Sequence, residues 1–242
     1  MQALAQKAIN LILPTRCLKC KQRTDSPGSL CASCWSDMDF IQAPYCSCCG
    51  FPFEHSFGED ASAESLCGPC AKEQPLYHKA RAALVYNDNT KGMILSFKHG
   101  DRLDLAPLLG KWLQMTAGDL LGSADLVVSV PLHWRRLFMR QYNQAAVLAN
   151  LLNHPNTNHI WLKRAQSTPP QGRRNRQARV ENVRSAFDIS DDHKHQFTGK
   201  AVLLVDDVMT TGATINACTK VLLKAGASRV NVLTLARVVI PQ

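Results

Sequence analysis

The sequence predicts an α/β domain with a parallel sheet, preceded by a small cysteine-rich module. Apolar, strand-like segments alternate with helical segments after residue 79, which is the pattern of a parallel sheet with right-handed crossovers. Nine of the ten cysteines lie before residue 71. Because ligands of such sheets bind at the carboxyl ends of strands, we expect the functional site there. The predicted domains are residues 1–75 and 76–242.

Length and composition are those of a folded protein without a membrane span. The 242 residues, 45% of them hydrophobic, suffice for one medium and one small domain. No apolar run approaches the roughly 18 residues that a membrane span needs. Residues 1–13 are predicted to form an amphipathic packing helix that ends at Pro14. The expected location is cytoplasmic.

The cysteines form four Cys-x-x-Cys knuckles, which are typical of structural zinc sites. Ten residues separate the first two knuckles and seventeen the last two, so pairing in sequence order predicts two zinc ions with four thiolates each. The predicted ligands are Cys17, Cys20, Cys31, Cys34, Cys46, Cys49, Cys67 and Cys70. A cross-braced pairing of alternate knuckles and a disulfide framework are the alternatives; regular knuckles favour a reducing compartment. Cys48 is surplus, and Cys218 is expected to be a core residue.

The elements of the second domain follow from apolar runs and turn residues. A break at 98–101 is expected in the first helical stretch, and Gly226 is expected to end the last helix. The predicted strands are 79–86, 125–131, 160–163, 202–206 and 230–239, and the predicted helices are 90–115, 142–152 and 213–225.

Residues 202–214 carry the most chemical information. A buried strand, 202–205, leads to Asp206 and Asp207, and a turn of hydroxyl residues around Gly212 opens a helix. Backbone N–H groups at a helix start bind phosphate, while carboxylates suit vicinal ribose hydroxyls, directly or through Mg²⁺. The implied ligand is a sugar phosphate. The alternative is an ordinary strand-to-helix turn with a capping Asp.

The basic charge lies in the second domain. Residues 1–80 hold seven Lys and Arg against eight Asp and Glu, whereas residues 81–242 hold 21 against 11. The densest stretch, 163–184, contains seven basic residues and Glu181 alone, which suits a diphosphate or a nucleic-acid backbone. The long loop 166–182 is expected to be a lid that carries arginines over the ligand; a solvated basic surface is the alternative.

Arg135 and Arg136 follow the second strand, where a diphosphate-binding loop is expected. Trp134, Phe138 and Tyr142 lie among these arginines. We expect the aromatic side chains to pack in the core. A stacking surface for single-stranded nucleic acid is the alternative.

Residues 202–214 resemble the 5-phosphoribosyl-1-diphosphate (PRPP) motif of type I phosphoribosyltransferases. In that family the acidic pair contacts the ribose hydroxyls and the Thr-rich loop binds the 5-phosphate. The resemblance implies PRPP binding, with Mg²⁺, by Val205, Asp206, Asp207, Val208, Met209, Thr210, Thr211, Gly212, Ala213 and Thr214.

The whole chain resembles the ComF/GntX family, in which a double zinc ribbon precedes a type I phosphoribosyltransferase domain. The matching segments are CSCCGFP at 46–52, SFKHG at 96–100, Pro131, RQYNQ at 140–144, PPQ at 169–171 and RVENVRSAF at 179–187. Arg174 stands where a leucine is expected, and Cys48 is atypical. Residue 2 is Gln, so no glutaminase nucleophile follows Met1 and a glutamine-dependent reaction is not supported.

Three functions are compatible with this resemblance. The first is a PRPP-binding protein for the uptake or utilisation of extracellular DNA, with single-stranded DNA bound by the basic stretch 163–184. The second is an active, Mg²⁺-dependent phosphoribosyltransferase with an unknown acceptor, in which diphosphate leaves onto arginines. Its expected catalytic residues are Asp206, Asp207, Arg135, Arg136 and Arg179. The third is an adaptor whose zinc ribbons bind competence or DNA-processing proteins.

Overall fold

The computed structural model describes residues 14–24, 26–53, 65–99, 102–132, 134–164 and 186–240. The predicted N-terminal helix at 1–13 and the predicted lid at 166–182 lie outside these residues. The helices are α1 (Ala32–Ser36), α2 (Gly68–Lys72), α3 (Asp88–His99), α4 (Ala106–Gly122), α5 (Trp134–Arg140), α6 (Gln144–Asn150), α7 (Asp191–Lys194) and α8 (Ala213–Lys224). The strands are β1 (Lys79–Val85), β2 (Leu126–Ser129), β3 (Thr157–Asn158), β4 (Leu162–Arg164), β5 (Phe187–Ile189), β6 (Ala201–Met209) and β7 (Arg229–Arg237). Two short 3₁₀ turns, Leu103–Leu105 and His195–Phe197, complete the described elements.

A five-stranded parallel sheet in the order β1-β7-β6-β2-β3 forms the centre of the molecule and confirms the predicted α/β class. The two longest strands, β6 and β7, are neighbours and are almost entirely buried. Both faces of the sheet are covered, which is why β6 begins with an uninterrupted apolar run, 201–205, instead of an alternating pattern. β2 ends beside Val205 of β6, because Ser129 pairs with Val205, so Asp206 follows directly after the point where β2 ends.

Helices cover both faces of this sheet. On one face, Trp112 and Leu113 of α4 pack with Leu203 and Leu233 of the central strands. On the other face, Ile215, Cys218 and Leu222 of α8 pack with Leu204 and Val232. Cys218 is fully buried in this layer, as expected for a small core residue.

Two strand predictions differ from the structure. The strand predicted at 202–206 continues to Met209, because β7 pairs with it as far as Arg237. The segment predicted as a strand at 160–163 contributes β4 to a separate antiparallel pair with β5 instead of to the main sheet. The main sheet instead ends in β3, a strand of two polar residues that gives no apolar signal.

The cysteine-rich module forms backbone hydrogen bonds with the free edge of β1. The amide of Ile41 donates to the carbonyl of Ala83 (2.9 Å), and the amide of Val85 donates to that of Asp39 (2.8 Å). Further along the edge, the amide of Ala80 donates to the carbonyl of Cys48 (2.7 Å). These bonds pair backbone groups that an edge strand leaves open.

Gly50 is required at the point where this module approaches β1. Its φ is +68°, and a Cβ there would lie 2.6 Å from the carbonyl oxygen of Ala80. A side chain would therefore be strained by the backbone conformation and would also collide with the strand.

In the part of the chain that the structure describes, no helix is long and apolar enough to cross a bilayer.

Candidate functional site

The cysteines form two clusters of four, paired in sequence order. In each cluster the four sulfur atoms lie within 4.8 Å of one another, and all ten cysteines are free thiols. The clusters are Cys17, Cys20, Cys31, Cys34 and Cys46, Cys49, Cys67, Cys70. The cross-braced and disulfide alternatives are therefore wrong.

The cluster geometry fits tetrahedral zinc. The sulfurs of Cys20 and Cys31 are 3.6 Å apart, as are those of Cys49 and Cys67. Zinc–sulfur bonds of about 2.3 Å give a tetrahedron with an edge of about 3.8 Å. The hydrogen bond between the side chains of Cys46 and Cys49 lowers the pKa of Cys46 and raises that of Cys49. Four thiolates are the donor set of a structural zinc site, which leaves no open position for chemistry.

A buried arginine joins the second cluster to the sheet. Arg237 ends β7, and its Nη1 donates to the carbonyl of Cys49 and lies 3.5 Å from the Cys49 sulfur. Its guanidinium also lies over the Phe51 ring, 5.3 Å from the centroid. Since a Zn(Cys)₄ centre carries a formal charge of about −2, Arg237 is its counter-ion. Sequence reasoning missed this residue.

The hydroxyl-rich turn lies between β6 and α8. Gly212 precedes the helix with a φ of +75°, in the left-handed region, and its carbonyl accepts from the amide of Asn216 (2.8 Å). A Cβ there would meet no described atom within 4 Å, so the backbone conformation, not crowding, requires glycine. Thr210 and Thr211 directly precede Gly212, and Thr214 is the second residue of α8. A helix start flanked by hydroxyl residues can bind phosphate.

A cavity of about 320 Å³ lies beside this turn at the carboxyl edge of the sheet. It brings together the acidic pair, the turn and the segment that follows β2. Its lining residues are Tyr86, Ile94, Leu95, Lys98, Val130, Pro131, Leu132, Arg140, Asn143, Gln144, Ala145, Arg164, Asp206, Asp207, Val208, Thr210 and Thr214.

Lys98 supplies the acidic pair with a counter-ion. Its Nζ lies 2.7 Å from Oδ2 of Asp207. Burial and the neighbouring charge of Asp207 raise the pKa of Asp206 to about 7, against the opposing effect of Lys98 and Arg164. The carboxyl groups of this pair are oxygen acceptors for a bound diol or cation.

Two side chains hold Lys98 at the cavity. The amide of Gln144 donates to the carbonyl of Lys98 (2.9 Å), and the hydroxyl of Tyr142 donates to the carbonyl of Phe97. The last carbonyls of a helix have no partner within it, so these bonds cap α3. The sequence segments 96–100 and 140–144 are thus two halves of one structure that positions Lys98.

The structure places the remaining predicted residues as follows. Arg135 and Arg136 belong to α5, directly after the segment that lines the cavity, but their side chains lie outside the described atoms. Arg179 lies outside the described residues altogether.

The aromatic residues around α5 only partly follow the expectation of core packing. Tyr142 is half-buried, whereas Trp134 is 64% exposed and Phe138 is 85% exposed. For the latter two the prediction was wrong: α5 does not turn these rings into the core.

Sequence comparisons agree with both modules. A double zinc ribbon family model matches residues 8–71, and a phosphoribosyl transferase domain model matches residues 164–239.

Three relatives share most of the chain. Competence protein F of Haemophilus influenzae is 30% identical, with 92% of this chain and 96% of that protein covered. The DNA utilization protein YhgH of Escherichia coli is 29% identical (79% and 83% covered). Competence protein ComFC of Bacillus subtilis is 27% identical (86% and 84% covered).

Solved structures with similarity to the chain include two enzymes. The allosteric regulatory enzyme of purine biosynthesis is 22% identical with a TM-score of 0.36, over 58% of this chain and 30% of that one. A purine phosphoribosyltransferase from Pyrococcus horikoshii is 19% identical with a TM-score of 0.31, over 56% and 73%.

The fold and the two kinds of site define a class of protein: a phosphoribosyltransferase-type α/β domain joined to a double zinc ribbon with two Cys₄ sites. Within that class, the chain belongs to the ComF/GntX family, which includes competence protein F.

Proposed function

We propose that this protein binds PRPP with Mg²⁺ at the cavity beside β6 and acts in the uptake or utilisation of extracellular DNA. The observation that carries the proposal is the convergence of Asp206, Asp207 and the turn residues Thr210 and Thr214 on one cavity. Each part of the ligand has a matching chemistry there. The names of the three relatives support the biological role.

Different parts of the cavity wall suit different groups of PRPP. The helix start of α8 suits the 5-phosphate, and the acidic pair suits the ribose hydroxyls. The segment from Pro131 to Arg136 is the proposed diphosphate side, where arginine charges favour a polyphosphate. Mg²⁺ prefers oxygen ligands and few carboxylates, so Asp206 and Asp207 would hold it together with ligand oxygens.

Lys98 has a proposed role in ligand exchange. In the structure it neutralises Asp207. A divalent cation at the acidic pair would take over that role, which frees the ammonium to bind the incoming diphosphate.

The alternative function, phosphoribosyl transfer to an unknown acceptor, is favoured by one further observation. Tyr86, Ile94 and Leu95 form a wall of rings and alkyl groups in the same cavity as the acidic pair. Such a wall suits the apolar face of an acceptor held next to ribose C1. The acceptor would attack C1 as diphosphate leaves towards Arg135, Arg136 and Arg179.

The DNA part of the proposal rests on charge. From residue 126 to residue 187 the chain contains ten Lys and Arg residues and one acidic residue, Glu181. This excess suits the phosphates of single-stranded DNA. The zinc ribbons are proposed docking modules for DNA-processing proteins. A cytoplasmic location is proposed from the free thiols of both clusters.

One variant tests both ligands. In a quadruple variant with Gln at Arg173, Arg174, Arg176 and Arg179, single-stranded DNA affinity is expected to fall, and the slope of log K against log salt to flatten by up to roughly three units. PRPP affinity, measured by calorimetry with Mg²⁺, reports on the lid role of the same loop. Loss of PRPP binding with an unchanged salt slope for DNA would assign the loop to the diphosphate alone. A variant that alters neither would refute both roles of the loop.

A further inference from the structure

A second cavity, of about 440 Å³, lies between the zinc module and the α/β domain, away from the acidic pair. We name it the seam cavity. Its volume falls within the range of about 300–1,000 Å³ that is typical of small-molecule sites. The side chains that shape it are Trp35, Phe40, Tyr45, Arg81, Trp112 and Met115.

The walls of the seam cavity are aromatic and fixed. The rings of Trp35 and Phe40 lie 5.2 Å apart, and the Trp112 ring meets Phe40 edge-on at the same distance. Trp112 is only 3% exposed and belongs to the core, so it holds the other two rings in place. The geometry is a preformed stacking surface, because its rings need no rearrangement to accept a planar group.

The mouth of the cavity exposes apolar side chains to water. Trp35 is 49% exposed and Met115 is 80% exposed, at the edge of a cavity that both residues line. Large apolar side chains exposed at the mouth of a cavity are typical of binding sites. A planar ligand in the cavity would cover the open face of the Trp35 ring.

The seam cavity has one positive charge in its lining, and Asp37 and Asp39, exposed sequence neighbours of Trp35 and Phe40, lie outside that lining. Among the described residues that line it, Arg81 alone carries a formal charge. Its guanidinium lies 4.6 Å from the Tyr45 ring centroid and donates to the carbonyls of Ser47 (3.1 Å) and Ala80 (2.7 Å), which fixes its position. Lys79, two residues earlier on the same face of β1, and Lys111, one helical turn before Met115 on α4, are both exposed.

We propose that the seam cavity binds a base of single-stranded DNA. Aromatic walls suit a ligand with flat, apolar faces, and the cation Arg81 suits a ligand that also carries negative charge. A nucleobase on a phosphodiester chain has both properties. Trp35 stacks on the base, while Arg81 favours the adjoining phosphate. The choice of DNA as the polymer rests on the proposed function. The seam cavity would be a second DNA-binding site, separate from the basic stretch 163–184.

The two cavities share a strand, which allows both ligands to bind together. Ala83 of β1 lines the seam cavity. Tyr86, which directly follows β1, lines the cavity beside β6 that contains the acidic pair. At about 3.3 Å per residue these positions are about 10 Å apart. PRPP is therefore expected to leave base binding unaffected.

The test compares a labelled oligothymidylate with an oligomer of the same length in which every base is replaced by an abasic sugar. Fluorescence anisotropy on the full-length, zinc-loaded protein is expected to show Trp35→Ala weakening the oligothymidylate about fivefold to a hundredfold, since one base stack is worth about 1–3 kcal/mol. Trp35→Phe is expected to restore most of the affinity. The abasic oligomer is expected to bind wild type and Trp35→Ala equally.

Controls separate stacking from misfolding and from other surfaces. Zinc content and thermal midpoint of each variant verify the fold, and Phe138→Ala removes an exposed ring on α5, outside the seam cavity. Unchanged oligothymidylate affinity in Trp35→Ala, an equal loss with the abasic oligomer, or a loss only in Phe138→Ala would each overturn the proposal. Equal binding of both oligomers by wild type would overturn the base site but leave the charge-based DNA binding intact. Binding of neither would overturn both.

Discussion

The ammonium of Lys98 lies 2.7 Å from a carboxylate oxygen of Asp207, and this contact ties the end of α3 to the end of β6. Among the described residues that line the cavity beside β6, Lys98 is the one lysine, and the contact places it on the acidic pair. The two carboxylates are adjacent in sequence, and Lys98 offsets their mutual repulsion more strongly than Arg164 does.

Removal of this lysine is expected to destabilise the protein. Lys98→Met leaves two largely buried carboxylates without their nearest cation, and the free energy of unfolding is expected to fall by about 1–3 kcal/mol. Lys91→Met is the matched control, because Lys91 pairs with exposed Asp88 on the same helix, and surface pairs are worth about 0–1 kcal/mol. Urea denaturation of both variants measures the difference. Equal losses would show that the contact between Lys98 and Asp207 is an ordinary surface pair.

The raised pKa of Asp206 predicts a pH dependence of stability. In the folded protein the pKa is about 7, whereas the ordinary value is 3.8. Between these values the folded protein binds one proton more than the unfolded chain, so this group makes the free energy of unfolding fall as pH rises. Above pH 7 the full cost of the buried charge is present.

Asp206→Asn removes this titration and isolates its effect. The stability of wild type relative to the variant is expected to decline by a few kcal/mol, on the order of the pKa shift, between pH ~4 and pH ~7. Denaturation curves of both proteins at pH 4.5 and 7.5 provide the measurement, and groups common to both cancel. Parallel pH profiles would contradict the burial of an ionised Asp206.

The pairing of the cysteines predicts independent zinc sites. Cys17→Ser is expected to release one of two zinc ions and to leave the ion at the Cys46, Cys49, Cys67 and Cys70 cluster bound. Metal analysis by mass spectrometry of the native protein gives the stoichiometry. Loss of both ions would indicate that the two clusters fold as one cooperative unit.

Arg237 is expected to stabilise the second zinc site alone. Arg237→Met keeps much of the packing against Phe51 but removes the positive charge beside Cys49. Loss of an outer-shell partner typically costs 10–100-fold in metal affinity, so a chelator should remove this zinc about tenfold more readily. Zinc at the Cys17 cluster is expected to stay unchanged, which is the internal control. Equal weakening of both sites would point to general destabilisation instead.

Local patterns explain which features the sequence could predict. The acidic pair and the 210–214 turn are contiguous, and each cysteine pair is separated by two residues, so spacing alone identifies them. Arg237 and Cys49 are 188 residues apart, and their contact depends on how the zinc module packs on β1. Lys98 reaches Asp207 only through the capping of α3 by Tyr142 and Gln144. The hydrophobic periodicity of a sequence carries no information on such long-range contacts. β3 is too short and too polar to give a strand signal.

Calorimetric titration of PRPP with Mg²⁺ into the Asp206→Asn, Asp207→Asn double variant tests the central claim most directly. The substitutions preserve shape but remove the negative charge that favours a metal-bound ribose. PRPP affinity is expected to fall about tenfold or more, equivalent to about 1.4 kcal/mol, while zinc content stays at two ions. A double Asn variant that is folded, zinc-loaded and equal to wild type in PRPP affinity would contradict the assignment of this cavity to PRPP.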